Sequence, residues 1–146
     1  MIFSLEEVNN DNYSFYSEYD KKFETELNQF QSRIYPSKSA ENVTWYHIKV
    51  RRKYIGAMWL ERSKKDDFAV LGIFIADKKY RNKGIGKRAI EQIIINDLQY
   101  FGTKKILLNV RENNERAIRC YKKVGFIESK RFEKDGYNVI EMVYEM

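Results

Sequence analysis

A single mixed α/β domain over residues 1–146 is the fold class this sequence predicts. Its sheet should be mostly antiparallel, with six to seven strands flanked by about four helices. Three observations carry that reading. Apolar periodicity changes along the chain in the order β-α-α-β-β-β-α-β-α-β-β. The length of 146 residues suits one core, and no repeat, linker or low-complexity segment divides it. Aromatics reach 15%, with 11 tyrosines and 9 phenylalanines, which favours a sheet-rich interior.

Each element has a local cause. Ile2-Phe3-Ser4-Leu5-Glu6 alternates and reads as an edge strand. From Asn10 to Ile34, Phe23, Leu27, Phe30 and Ile34 recur at helical spacing, and Pro36 ends the run. Trp45–Val50 and Tyr54–Leu60 flank the basic turn Arg51-Arg52-Lys53 as a hairpin. Phe68–Ile75 follows, apolar on both faces as a central strand should be. Ile85 to Tyr100 is helical, with Ile85, Ala89, Ile90, Ile93, Ile94 and Leu98 as its buried stripe and Gly102 as its stop. Lys105–Val110 is the next strand, parallel to Phe68–Ile75 because a helix joins them. A shorter helix runs from Asn114 to Val124, capped by Asn113 or Asn114 and ended by Gly125. Phe126–Phe132 and Val139–Met146 pair across Asp135-Gly136.

Composition excludes several classes. The apolar clusters are too short to span a bilayer, and Glu6 and Glu7 stand where a signal peptide would be apolar. The single cysteine, Cys120, cannot form an internal disulfide. The expectation is a cytoplasmic protein without a membrane partner. Net charge is +6, and all of it lies in the C-terminal half: residues 1–73 hold 11 basic and 11 acidic groups, residues 74–146 hold 16 and 10. Nucleic acid would need aromatics interleaved with the basic cluster Lys78–Arg88, which offers only Tyr80, so none is expected. No His, Cys, Asp and Glu residues have metal-ligand spacing, so no metal is expected.

The chemistry concentrates at Arg81-Asn82-Lys83-Gly84-Ile85-Gly86, between a central strand and a helix. Two glycines at a helix mouth allow a tight turn and expose N–H groups at the positive end of the helix dipole. Such a place suits a phosphate, and Lys78, Lys79, Arg81, Lys83, Lys87 and Arg88 surround it.

That segment, Gly72 to Gly86, resembles the acetyl-CoA signature of the GNAT (Gcn5-related N-acetyltransferase) superfamily: Arg or Gln, two residues, Gly, one residue, Gly or Ala. A second segment, Val110 to Phe126, is similar to the family pattern Asn-x-x-Ala-Ile-x-x-Tyr-x-x-x-Gly-Phe. With the element order, the likeness covers residues 43–132. It implies that acetyl-CoA is the cosubstrate. It implies that Arg81, Asn82, Lys83, Gly84, Ile85, Gly86 and Lys87 wrap the pyrophosphate through backbone amides. It implies that the main chain of Ile73, Phe74 and Ile75 pairs with the pantetheine, and that Asn114 hydrogen-bonds the same arm. Tyr121 is then the general acid for the leaving thiolate, and the reaction is direct attack by an amine on the thioester. Several family members carry a Glu on the central strand or on the strand before the Asn. This chain has no acid in Phe68–Ile75 and has Asn109 on the next strand, so the general base stays unassigned.

Structural readings stand beside these. Tyr121 falls with Ala117, Ile118 and Val124 on what could be a core face; Asn114 could be only a cap. Cys120 reads as a small buried hydrophobe rather than a nucleophile, and His47 as a cross-strand or surface residue rather than a base. The main reading is an N-acetyltransferase; the alternative is a catalytically idle acyl-CoA-binding sensor or structural protein. The acceptor is a small-molecule amine or a protein N-terminus or lysine. Residues 1–35 hold seven acidic groups against three basic, which would steer a cationic amine if they faced the cleft. Oligomeric state is open, a dimer included.

Overall fold

Turn chemistry starts the sheet. The computed structural model describes residues 2–9 and 42–145, the side chains of residues 98–100 excepted. Strands β2 (Val43–Val50) and β3 (Lys53–Arg62) form the expected hairpin, its turn reduced to Arg51-Arg52 with Arg51 at φ 58°. A β-bulge at Ile55 shifts the register between Ile48 opposite Gly56 and Lys49 opposite Tyr54. Strand β1 (Ser4–Glu7) pairs with β2 as an edge. Strand β4 (Phe68–Ile75) pairs with β3 and is the middle strand of seven.

Helix α1 (Ile85–Phe101) then leads to β5 (Lys105–Arg111), and α2 (Glu115–Val124) leads to β6 (Ile127–Lys134) and β7 (Tyr137–Glu145). Asp135 at φ 52° and Gly136 at φ 80° make the two-residue turn between β6 and β7, so both strands reach closer to the turn than their apolar residues suggested. The strand order is β1-β2-β3-β4-β5-β7-β6: the last strand slots beside β5 and leaves β6 at the edge. Only β4 and β5 are parallel; every other neighbouring pair is antiparallel. The edge strand β6 carries Glu128, Lys130, Arg131, Glu133 and Lys134, charges that discourage pairing with another chain.

The sheet has two unlike faces. Ala69 and Leu71 of β4, Ile106, Leu108 and Val110 of β5, and Ile140 and Met142 of β7 share one core with Ile85, Ala89, Ile90, Ile93 and Ile94 of α1. Ala117, Ile118 and Val124 of α2 pack against it too. Each fully buried isoleucine here contributes about 1.5–3 kcal/mol. The opposite face holds a second cluster, Trp45, Ala57, Trp59, Phe74 and Ala76, with the two indoles 4.6 Å apart. Gly72 is required beneath it, because a Cβ there would lie 2.1 Å from the Trp59 ring.

Among the described residues there are two α-helices and a single 3₁₀ turn at Lys78–Tyr80, not the four helices expected. The helical reading of Asn10 to Ile34 lies outside the described residues. No helix among those described is long and apolar enough to cross a membrane.

At its far end α1 is pinned by a polar tie. Asp97, 1% exposed, accepts Nε and Nη2 of Arg62 at 2.9 and 2.6 Å and the hydroxyl of Thr103. Arg62 also donates to Thr44 Oγ1 at 2.8 Å and lies 3.6 Å from the Phe101 ring centroid. The helix that carries the glycine turn is thus held to β2 and β3 at its other end.

Candidate active site

The parallel pairing of β4 with β5 stops at Val70 opposite Leu107, although β4 continues to Ile75 and β5 to Arg111. The ladder ends there, and two cavities share lining residues beside that gap. The larger, about 410 Å³, lies between Ile73, Phe74 and Ile75, the turn at the mouth of α1, and the face of α2 that bears Asn114, Ala117 and Tyr121. The smaller, about 170 Å³, is bounded by β4, β5, β6 and β7, with Trp59 of β3 and Tyr121 of α2. Ile73 and Tyr121 line both.

The glycine turn leads directly into the N-terminus of α1. Asn82 at φ 59° and Gly84 at φ 80° both take the left-handed conformation, which lets the chain turn tightly into α1. Gly84 caps α1 with no side-chain hydrogen bond, and the first turn of the helix has no acidic residue. The N–H groups there are left for a ligand. Braces hold the turn. Arg81 Nε donates to the Ile75 carbonyl at 2.8 Å, and Asp77 accepts from the Lys79 N–H at 3.0 Å while pairing with Lys53 at 2.7 Å. A Cβ on Gly86 would meet only Ile75 Cδ1, at 3.9 Å, so a larger side chain there would extend into the cavity that Gly86 lines.

Arg81, Asn82, Gly84, Ile85, Gly86 and Lys87 all line the larger cavity, as do Ile73, Phe74, Ile75, Asn114 and Tyr121. Lys83 does not. It stands on the turn, outside the cavity wall. The Arg81 side chain serves the turn itself, and Lys87 pairs with Glu91 at 3.2 Å. Sequence reasoning missed Arg116, Arg119 and Lys123, which bring more positive charge to the same wall. Their i, i+3, i+7 spacing on α2 was the available signal.

Asn114 caps α2, its side-chain oxygen accepting from the Ala117 N–H at 3.4 Å. That leaves its amide NH₂ to donate in the cavity it lines. Tyr121 is half-buried, 6.1 Å from Phe126 ring to ring. Burial pushes its phenol well above the usual tyrosine range, so the proton is held firmly. Cys120 is only partly buried and lines the cavity, and burial pushes its thiol up, away from nucleophilic character. His47 is fully buried on β2 opposite Ala57 and packs edge-on to Tyr54 at 4.9 Å, a cross-strand histidine and not a surface one. Among the described residues, neither cavity is lined by an Asp or Glu.

Residues 5–126 match the sequence model of the acetyltransferase (GNAT) family. The chain belongs to the GNAT family. Two similar curated proteins come from Bacillus subtilis: a probable spermine N(1)-acetyltransferase of subsp. natto (strain BEST195), 32% identical, and the spermine/spermidine N(1)-acetyltransferase of strain 168, 31% identical, each over 85 residues. Each match covers 58% of this chain and 49% of the relative, so the chain spans about half the length of the curated relatives it matches. Among solved GNAT-fold structures, spermidine N-acetyltransferase from Vibrio cholerae in complex with CoA and spermine has a TM-score of 0.80 at 16% identity, covering 98% of this chain and 95% of that one. A ribosomal L7/L12 alpha-N-protein acetyltransferase in complex with coenzyme A has a TM-score of 0.84 at 11% identity, covering 99% and 94%. At such identities the likeness is one of fold.

Proposed function

We propose that the chain is a single-domain, acetyl-CoA-dependent N-acetyltransferase that acts on a primary amine by direct attack. The observation that carries this reading is that Ile73 and Tyr121 line both cavities, beside the gap where the pairing of β4 and β5 stops. The residues of the larger cavity fit coenzyme A. The turn from Asn82 to Gly86 suits a pyrophosphate, and the cations Arg116, Arg119 and Lys123 suit an anionic ligand. The main chain of Ile73–Ile75 and the amide of Asn114 would hold the pantetheine arm. When bound, the cosubstrate supplies an acetyl group activated as a thioester.

Tyr121 holds a proton where the departing sulfur needs one, and burial keeps it protonated at neutral pH. Backbone N–H groups of Ile73–Ile75 would stabilise negative charge on the acyl oxygen. The amine must arrive neutral. Asn109, which lines the smaller cavity, can hold a water on the route for that proton but cannot take the proton itself. The relatives named for spermine and spermidine support a small-molecule acceptor over a protein one. A cytoplasmic location accords with the lone cysteine.

The test is free-thiol release from acetyl-CoA over a panel of amines, alongside calorimetric binding of CoA. Turnover separates an enzyme from an idle acyl-CoA-binding protein. Gly86→Trp should abolish CoA binding in a protein that stays folded; wild-type affinity would remove the turn from the cofactor site.

A further inference from the structure

The segment that leads into the glycine turn is bolted to the β2–β3 hairpin from outside the cavity. At the bulge in β3, the Ile55 carbonyl accepts two N–H groups from just beyond β4, Ala76 at 2.8 Å and Asp77 at 3.4 Å. Beside it Lys53, the first residue of β3, reaches Asp77 Oδ2 with its ammonium at 2.7 Å. The other carboxylate oxygen of Asp77 accepts the Lys79 N–H at 3.0 Å and so caps the 3₁₀ turn Lys78–Tyr80. Lys53 Nζ also stands 5.5 Å from the Tyr80 ring centroid. Tyr80, Arg81, Asn82 and Gly84 line the larger cavity; neither Lys53 nor Asp77 is among the described residues that do. The hydrogen bond from Lys53 to Asp77 and the carboxylate's charge push the ammonium above the usual lysine range, so the pair is charged at neutral pH.

We propose that Lys53 and Asp77 are positioning residues for coenzyme A: their ion pair fastens the 3₁₀ turn to the hairpin and so holds the glycine turn in the shape that receives the pyrophosphate. The inference rests on the coenzyme A reading of the larger cavity. Asp77 is the informative member. A carboxylate on a segment leading into a phosphate site opposes the phosphate by its charge, so Asp77 can favour that ligand only through shape. It is also buried, and without Lys53 its charge would be left uncompensated. Turning toward water relieves that charge, but it withdraws the cap from the Lys79 N–H and frees the turn. Binding must then order the turn, and affinity falls. Neither residue has a part in the transfer itself.

Position and charge predict opposite signs at Asp77, and calorimetric CoA affinity reads the sign. Asp77→Asn keeps a capping oxygen and loses the ion pair. Charge alone would tighten CoA binding in this variant; loss of the brace weakens it. Lys53→Met and Asp77→Asn should each bind CoA about threefold to tenfold more weakly, between the worth of an exposed ion pair and a buried one. KM for acetyl-CoA should rise with kcat unchanged, and the melting temperature of each variant is followed alongside. The double variant should lose no more than the weaker-binding single, since both substitutions remove one interaction. Lys53→Arg keeps the pair and should bind CoA as the wild type does. Arg52→Gln takes an exposed charge from the same hairpin and leaves the brace, so its affinity should change by less than about twofold. Affinity in Asp77→Asn at or above wild type, additive losses in the double variant, or equal losses in Arg52→Gln and Lys53→Met would overturn the proposal. The expected calorimetric pattern in a protein that turns over no amine would support the brace while removing the acetyltransferase reading. A wild-type protein that does not bind CoA would overturn both.

Discussion

Tyr121 lines both cavities and also packs against Phe126, and substitution separates a proton donor from a packing element. A tyrosine that merely filled the core would tolerate phenylalanine. Tyr121→Phe keeps the ring against Phe126 and removes only the proton. General acid–base catalysis contributes about 10²–10⁴ in rate, so kcat should fall by that order while calorimetric CoA affinity changes little. Turnover within twofold of wild type would make Tyr121 a core residue. The raised phenol also has a sign for stability. The folded chain holds this proton more tightly than the unfolded chain, whose tyrosines titrate near 10.0. Its contribution is therefore complete below pH 10 and declines as pH rises further, and it is absent from Tyr121→Phe. In the alkaline limb of kcat, Tyr121 should not titrate at or below that pH.

At the scale of an element, the proposed function asks one side chain at the α2 N-terminus for a structural and a chemical duty. The Asn114 oxygen satisfies a backbone donor of the helix, and the proposed function gives its NH₂ to the cofactor arm. The two duties come apart by substitution. Asn114→Ser keeps a good cap and loses the amide donors; Asn114→Ala loses both. The alanine variant should be less stable by about 0.5–2 kcal/mol in urea unfolding, and the serine variant close to wild type. Both should bind CoA more weakly. Equal CoA affinity in all three proteins would leave Asn114 as a cap alone. The other elements follow the same logic of shared work: α1 presents the glycine turn at one end and is tied through Asp97 to Arg62 at the other.

For the whole molecule, charge is divided along the chain. The excess of +6 belongs to residues 74–146, and the cavity walls there bear arginine and lysine without a carboxylate among the described residues. A field of one sign over a cleft raises the encounter rate of an opposite ligand, and salt suppresses it. The screening length shortens from about 30 Å at 0.01 M to about 8 Å at 0.15 M ionic strength. The association rate constant for CoA, followed by stopped flow, should fall severalfold over that range, with the dissociation rate far less affected. A salt-independent association rate would mean that only contact charges matter. The acids of residues 1–35 belong to the acceptor question in principle, but those from Asp11 onward lie outside the described residues.

What the sequence determined by itself was local. Gly84 and Gly86 announced the helix mouth because backbone freedom is a property of the residue. The stripe from Ile85 to Ile94 and the cap at Asn114 were legible because a helical period and a short side-chain oxygen act within a few residues. The hairpins at Arg51-Arg52-Lys53 and Asp135-Gly136 were legible for the same reason, although Lys53 proved to belong to β3. Strand parity names a face and leaves the neighbour open. Only the tertiary structure decided that β7 enters between β5 and β6, and that β4 and β5 part after Val70 and Leu107. Only it brought Arg111 beneath Tyr137 and Arg62 onto Asp97, contacts between residues far apart in the chain. Register across a sheet depends on summed packing over many residues, and that sum is not written in any one stretch of the chain. The glycine turn could therefore be read in advance, while the smaller cavity, assembled from five strands and Tyr121, had to be seen.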